Sequence, residues 1–164
     1  MGKNSEANAF EHLKLHLTGK VVIVGIGNTL RSDDGIGSIL ATRLQDKAPY
    51  IVYNGSSSPE NYLGKIIKDM PDTILLVDAV DFGGEAGEIR FLEGEDIQTV
   101  NFFSTHDASI SLAISYLKNS LKSTGIFILA IQPKILVFGD QLSPELAQAL
   151  KKIERWFING QNQG

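Results

Sequence analysis

The sequence predicts an α/β fold: a mostly parallel sheet sandwiched between helices. Three observations carry that prediction. Short, near-continuous apolar runs at 21–25, 73–80 and 126–131 read as strands covered on both faces. Longer segments between them repeat apolar residues at helical spacing. The two kinds of segment alternate, which is the order of parallel strands joined by crossover helices.

Taken in order, residues 1–19 form an N-terminal appendage, with Phe10, Leu13 and Leu17 at the spacing of a short helix. His12 and His16 share one side of that helix and read as a pair of solvated histidines. A single α/β domain then runs over 20–159. After the strand at 21–25, a segment reaching Lys47 places Ile36, Ile39, Leu40 and Leu44 on one helical face. Residues 51–54 make a second strand. Ser58, Pro59 and Glu60 supply an N-cap, a first-turn proline and a first-turn acid for a helix ending near Met70. The strand at 73–80 carries Asp78 near its end, with Asp81 just beyond. Gly83-Gly84 is a turn, and 88–92 alternates like a strand. Thr105, His106 and Asp107 open a helix whose inner side is Ile110, Ala113, Ile114, Leu117 and Leu121. Following the strand at 126–131, residues 136–138 read as a short edge piece. Ser143-Pro144-Glu145 starts the last helix, with Leu146, Leu150, Ile153 and Phe157 facing in. Residues 160–164 are a polar tail.

Composition narrows the function. At 164 residues the chain fits one domain with a substantial core. Its net charge of −4 lacks the basic excess of a nucleic-acid binder. No apolar run approaches the roughly 20 residues of a membrane span, and the N-terminus has no apolar core of a signal peptide. A cytoplasmic location is expected. There are no cysteines, so disulfides, thiolate metal sites and a cysteine nucleophile are all excluded. The three histidines are the remaining strong nitrogen ligands.

These residues bear on three kinds of site. Gly25-Ile26-Gly27 after a strand suggests a dinucleotide site. The full fingerprint needs a third glycine where this chain has Leu30, and an acid after the second strand where it has Asn54. A serine-hydrolase elbow, a His-Glu-x-x-His zinc motif and an aspartic-protease motif are absent. The third kind is an open metal site. Asp33-Asp34 follows the first strand, Asp78 and Asp81 end the strand at 73–80, and His106 enters a later helix. In an open α/β sheet these segments converge on the crevice at the carboxyl ends of the strands. Two carboxylates and an imidazole suit a borderline divalent ion such as nickel, zinc or manganese. Three protein ligands leave room for water or substrate. Either aspartate of the 33–34 pair also suits a helix N-terminus, where a carboxylate meets the positive end of the dipole.

The motifs taken together resemble the hydrogenase maturation proteases, endopeptidases that trim the large subunit of nickel–iron hydrogenases. The resemblance spans about 20–156. It rests on Gly-Ile-Gly-Asn at 25–28, Asp-Asp-Gly-Ile-Gly at 33–37, Ser-Pro-Glu-Asn at 58–61 and Val-Asp-Ala at 77–79. Gly-Glu-Ile-Arg at 87–90, Ser-Thr-His at 104–106 and Ile-Gln-Pro at 131–133 complete it. The branch serving formate-linked or energy-converting hydrogenases is the nearest in character. The resemblance implies a three-layer, phosphorylase/hydrolase-like architecture. It implies that Asp34, Asp78 and His106 engage nickel, as metal-binding and catalytic residues, with Asp33 and Asp81 in supporting roles. It also implies that the nickel arrives in the hydrogenase large-subunit precursor as the recognition signal, and that other late divalent ions can substitute in vitro. Relatives often carry Asp where this chain has Asn54, and residues 1–19 have no counterpart.

The expected function is therefore removal of a C-terminal extension from a nickel-loaded large-subunit precursor. Two alternatives stand beside it: a nickel-sensing maturation chaperone of the same fold that docks without cutting, and a small nucleotide-binding module.

Overall fold

A computed structural model describes residues 2–47, 49–93 and 107–159. Among these residues five strands form one sheet in the order β2-β1-β3-β5-β4. They are β1 (Val21–Ile26), β2 (Ile51–Ser56), β3 (Thr73–Ala79), β4 (Ile89–Glu93) and β5 (Gly125–Ile131). The β2-β1-β3-β5 ladder is parallel, and β4 runs antiparallel to β5 at the edge. Among the described residues five helices flank it: α1 (Gly2–His16), α2 (Ile36–Leu44), α3 (Leu63–Asp69), α4 (Asp107–Ser120) and α5 (Pro144–Asn159). Single 3-10 turns, Ser32–Gly35 and Pro59–Tyr62, lead into α2 and α3.

The strand order follows from which faces are apolar. Every residue of β1 and β3 is buried. Successive side chains point to opposite faces, so a continuous apolar run supplies two cores. Val21, Ile23, Leu75, Val77 and Leu129 meet α1, α2 and α5. Val22, Val24, Ile74, Leu76 and Ile128 meet Ile66 of α3 and Ile110, Ile114 and Leu117 of α4. The predicted inner faces of the last two helices are buried at Ile110, Ala113, Ile114 and Leu117 and at Leu146, Leu150, Ile153 and Phe157, whereas Leu121 lies past the end of α4 and is only partly buried.

The segment at 1–19 folds as α1 docked on the sheet. Leu13 is fully buried and Ala9 nearly so, both in the first core. His12 and His16 are not fully solvated. Both are half-buried and stack on Phe91 of β4, and His16 also packs on Phe127 of β5. Residues spaced four apart on a helix present one stripe. Here that stripe meets an aromatic sheet edge, a partner that helical periodicity does not disclose. Phe10 stacks on Trp156 of α5, with ring centroids 6.1 Å apart.

Two other expectations are corrected. Residues 136–138 are not a strand: the segment after β5 is irregular, with one isolated bridge pairing Gly139 and Arg31. Ser58 precedes the predicted proline turn but makes no side-chain cap bond.

The chain leaves β1 toward β2 on one side, then returns to place β3 on the other. The β1–β3 boundary is therefore a topological switch point, where the loops diverge and leave a crevice at the carboxyl ends.

Candidate active site

Both described aspartates of the expected triad lie at that switch point. Asp34 sits in the 3-10 turn after β1 and is 1% exposed. Asp78 is in the final turn of alternation of β3, fully buried, and level with Ala130 of β5. The turn carrying Asp34 packs against β3. His106 lies outside the described residues. Among the described residues, no group of three or more His, Asp and Glu side chains is placed to hold a metal ion.

Glycines set the position of Asp34. A side chain on Gly37 would strike the carbonyl oxygens of Val77 and Ile26, so the first turn of α2 rests directly on β1 and β3. Gly27 has φ 151°, and a side chain there would strike the carbonyl oxygen of Asp34. The Gly-x-Gly of the first loop is thus taken up by internal packing, rather than opened toward a pyrophosphate as a dinucleotide site requires. With the turn seated, the Asn28 backbone N–H donates to Asp34 Oδ2 at 3.0 Å and fixes the carboxylate. Asn28 Oδ1 accepts from the Leu30 N–H at 2.9 Å, closing the loop on itself.

Asp33 points elsewhere. It is fully buried. Its Oδ2 accepts from the backbone N–H groups of Lys134 and Ile135, both at 2.8 Å, and from Ser143 Oγ at 2.9 Å. Its Oδ1 accepts from the Ser143 N–H at 2.7 Å. This is not the helix cap that the sequence suggested: neither the 3-10 turn nor α2 has a side-chain cap bond at its start. Asp33 instead clamps the 134–143 segment to the turn that carries Asp34. Short charge-assisted bonds of this kind are about twice as strong as neutral ones.

The residues just before Asp33 reinforce the clamp. Ser32 takes φ 53°, a left-handed conformation that costs a non-glycine residue roughly 1–2 kcal/mol. Its N–H donates to the Gly139 carbonyl and its Oγ to the Val137 carbonyl, both at 2.8 Å. These bonds offset the strain.

A second clamp holds the loop after β3. Gln132 is 6% exposed, and its Oε1 accepts from the N–H groups of Phe82 and Gly84 at 2.9 and 3.0 Å. Its Nε2 donates to Asp81 Oδ1 at 3.0 Å. The Gln132 amide and the Gly83 N–H together hold the Asp81 carboxyl below the usual carboxylate range, against the smaller opposing effect of burial. Asp81 is thus engaged in shaping its loop. Asn54, where relatives often carry Asp, accepts from Ser38 Oγ at 2.5 Å and donates to Thr42 Oγ1 at 3.3 Å, tying β2 to α2. Sequence reasoning missed the roles of Gln132 and Ser143. A lone Gln closing an apolar strand was the available signal for the first.

Comparison with known proteins decides the family. The hydrogenase maturation protease (HycI) family matches residues 36–159. This chain belongs to that family. It is 32% identical over 145 residues to the hydrogenase 3 maturation protease of Escherichia coli K12, covering 85% of this chain and 92% of that one. Its fold matches the crystal structure of a [NiFe] hydrogenase maturation protease HycI from Thermococcus kodakarensis KOD1 with a TM-score of 0.77. The identity is 29%, and the match covers 90% of this chain and 96% of that one. The solution structure of the endopeptidase HycI from E. coli gives a TM-score of 0.76 at 29% identity, covering 88% and 92%. The three-layer α/β architecture expected of a maturation protease is therefore the observed one. Among the described residues no helix is long and apolar enough to cross a membrane.

Proposed function

We propose that this maturation protease removes a C-terminal extension from a nickel-loaded hydrogenase large-subunit precursor, and that the nickel in the precursor is its recognition signal. The observation that carries the reading is the pair of buried carboxylates, Asp34 and Asp78, at the β1–β3 switch point of a chain of this family. Carboxylate oxygens at the carboxyl edge of the sheet are donors that suit a divalent ion brought by the substrate.

Asp34 and Asp78 engage that ion, with His106 as the nitrogen ligand. The ion, once bound, supplies Lewis-acid polarisation of a carbonyl or a more acidic water. The chain's own residues orient and select. The Asn28 N–H keeps the Asp34 carboxylate in one position, and the two loop clamps fix the walls on either side. The protein acts in the cytoplasm on this precursor, without nucleic acid or membrane.

Mass analysis of nickel-loaded precursor incubated with the protein tests the proposal. The expected result is loss of one defined C-terminal peptide, abolished by His106→Ala in a protein that remains folded. A stable uncut complex would instead identify a chaperone, and equal cleavage of nickel-free precursor would remove nickel as the signal.

A further inference from the structure

We infer that Asp33 is a positioning residue for substrate. Its carboxylate fixes residues 134–139 as a wall of the precursor-binding site, so that losing it weakens precursor binding more than the chemical step. The inference rests on the functional reading above.

The carboxylate is not needed to start or to seat α2. The start of α2 takes no cap from it, and α2 is seated by Gly37 against β1 and β3. Asp34 has its own restraint in the Asn28 N–H. What Asp33 does hold is the segment after β5. Lys134 and Ile135 donate to its carboxylate, and its own N–H donates to the Ile135 carbonyl at 2.9 Å. The neighbouring residues continue the attachment. Arg31 Nε donates to the Leu136 carbonyl at 3.2 Å, and the Gly139 N–H to the Leu30 carbonyl at 2.9 Å.

The consequence is an irregular segment whose backbone polar groups are engaged by residues 30–33, while its apolar side chains are left outside. Val137 is 71% exposed, Phe138 84%, and Leu30 of the opposing turn 56%. Loops without regular structure are ordinarily mobile. This one is tied to the turn that carries Asp34, at the same carboxyl edge of the sheet as Asp78. Large apolar side chains held in place before a partner arrives lower the ordering cost of binding. A polypeptide brought to Asp34 meets the turn that carries it and the loop bonded to that turn. The occupant is therefore an apolar stretch of the precursor near its cleavage site.

Two variants test this with nickel-loaded precursor: Asp33→Asn, which turns one acceptor oxygen into a donor facing other donors, and the double variant Val137→Ser/Phe138→Ser. Hydrogen exchange at the amides of Lys134, Ile135 and Ser143 reports the clamp without any substrate. Asp33→Asn should exchange faster at those three amides. It should raise KM about tenfold, the size of a lost interface anchor, with kcat within roughly threefold. The double variant should show the same rise in KM with an unchanged melting temperature, and it carries the test if Asp33→Asn fails to fold. A normal KM in the double variant overturns the inference, as does Asp33→Asn losing kcat at constant KM. Wild-type protein that leaves the precursor whole overturns the functional reading, and the inference falls with it.

Discussion

Asp33 and Ser143, 110 residues apart, are joined twice: the Ser143 N–H donates to Oδ1 at 2.7 Å and the Ser143 hydroxyl to Oδ2 at 2.9 Å. Ser143 immediately precedes α5. One buried carboxylate thus links the turn after β1 to the start of the last helix, and with it the entrance of the site to the first core.

That link predicts the stability of Asp33→Ala. Loss of an exposed cap costs about 1 kcal/mol. Here truncation leaves without their acceptor the buried N–H and hydroxyl of Ser143 and the part-buried N–H groups of Lys134 and Ile135. Hydrogen bonds to charged groups contribute about 1.5–3 kcal/mol each, and they do not add fully. The expected loss is on the order of 3 kcal/mol, read from the shift in urea midpoint at constant slope. A loss below about 1 kcal/mol would show that water or a shifted backbone replaces the carboxylate.

Asp34 and Asp78 should show their roles in processing. Asp34→Asn and Asp78→Asn keep the shape of each side chain and remove its charge. Each variant should remain folded, with a stability loss of no more than about 3 kcal/mol, the usual range for a point substitution. Processing should nonetheless fall by a factor of at least about 100, the scale seen when a group stabilising developing charge is removed. Full activity in Asp34→Asn would dismiss that carboxylate from the site.

The helix at the N-terminus has a prediction of its own. Leu13 is fully buried in the core shared by α1, α2 and α5. Leu13→Ala should cost about 2–5 kcal/mol, the range for a large-to-small change in a close-packed core. An appendage would tolerate the change with no shift in its thermal midpoint. Processing at a temperature well below the midpoint should be normal, since α1 packs against β4 rather than against the turn holding Asp34.

The strands and the faces of the long helices were legible in the sequence because both follow short periods. β1 and β3 announced themselves as unbroken apolar runs, and α5 buries the four residues its 3.6-residue repeat selects. Asp34 and Asp78 were legible as strand-end acids for the same reason: strand ends are easy to locate. What local pattern does not carry is partnership at long range. The clamp between Asp33 and residues 134–143 joins segments about a hundred positions apart. The apolar run at 136–138 looked like a strand, but the carbonyls of Leu136 and Val137 accept from the side chains of Arg31 and Ser32 instead of joining a ladder. The histidine pair on α1 was misread because Phe91 and Phe127, its partners, lie on two later strands.

The seat of α2 offers the sharpest contrast between two glycines. A Cβ on Gly37 would meet the carbonyl oxygens of Val77 and Ile26, both backbone atoms of central strands that cannot turn aside. Gly37→Ala must therefore lift the first turn of α2 from the sheet. Overpacking of this kind costs about 1–3 kcal/mol, and more where backbone has to move. The displaced turn carries Asp34 with it, so processing should be lost together with stability. Gly64, in α3, has nothing within 4 Å of the corresponding position. Gly64→Ala should raise stability by about 0.5–1 kcal/mol through helix propensity, with normal processing. Urea unfolding and precursor cleavage of the two variants, measured side by side, check both halves. If Gly37→Ala is as stable as the wild type, the helix does not rest closely on β1 and β3, and the seating of the turn that carries Asp34 against β3 loses its support.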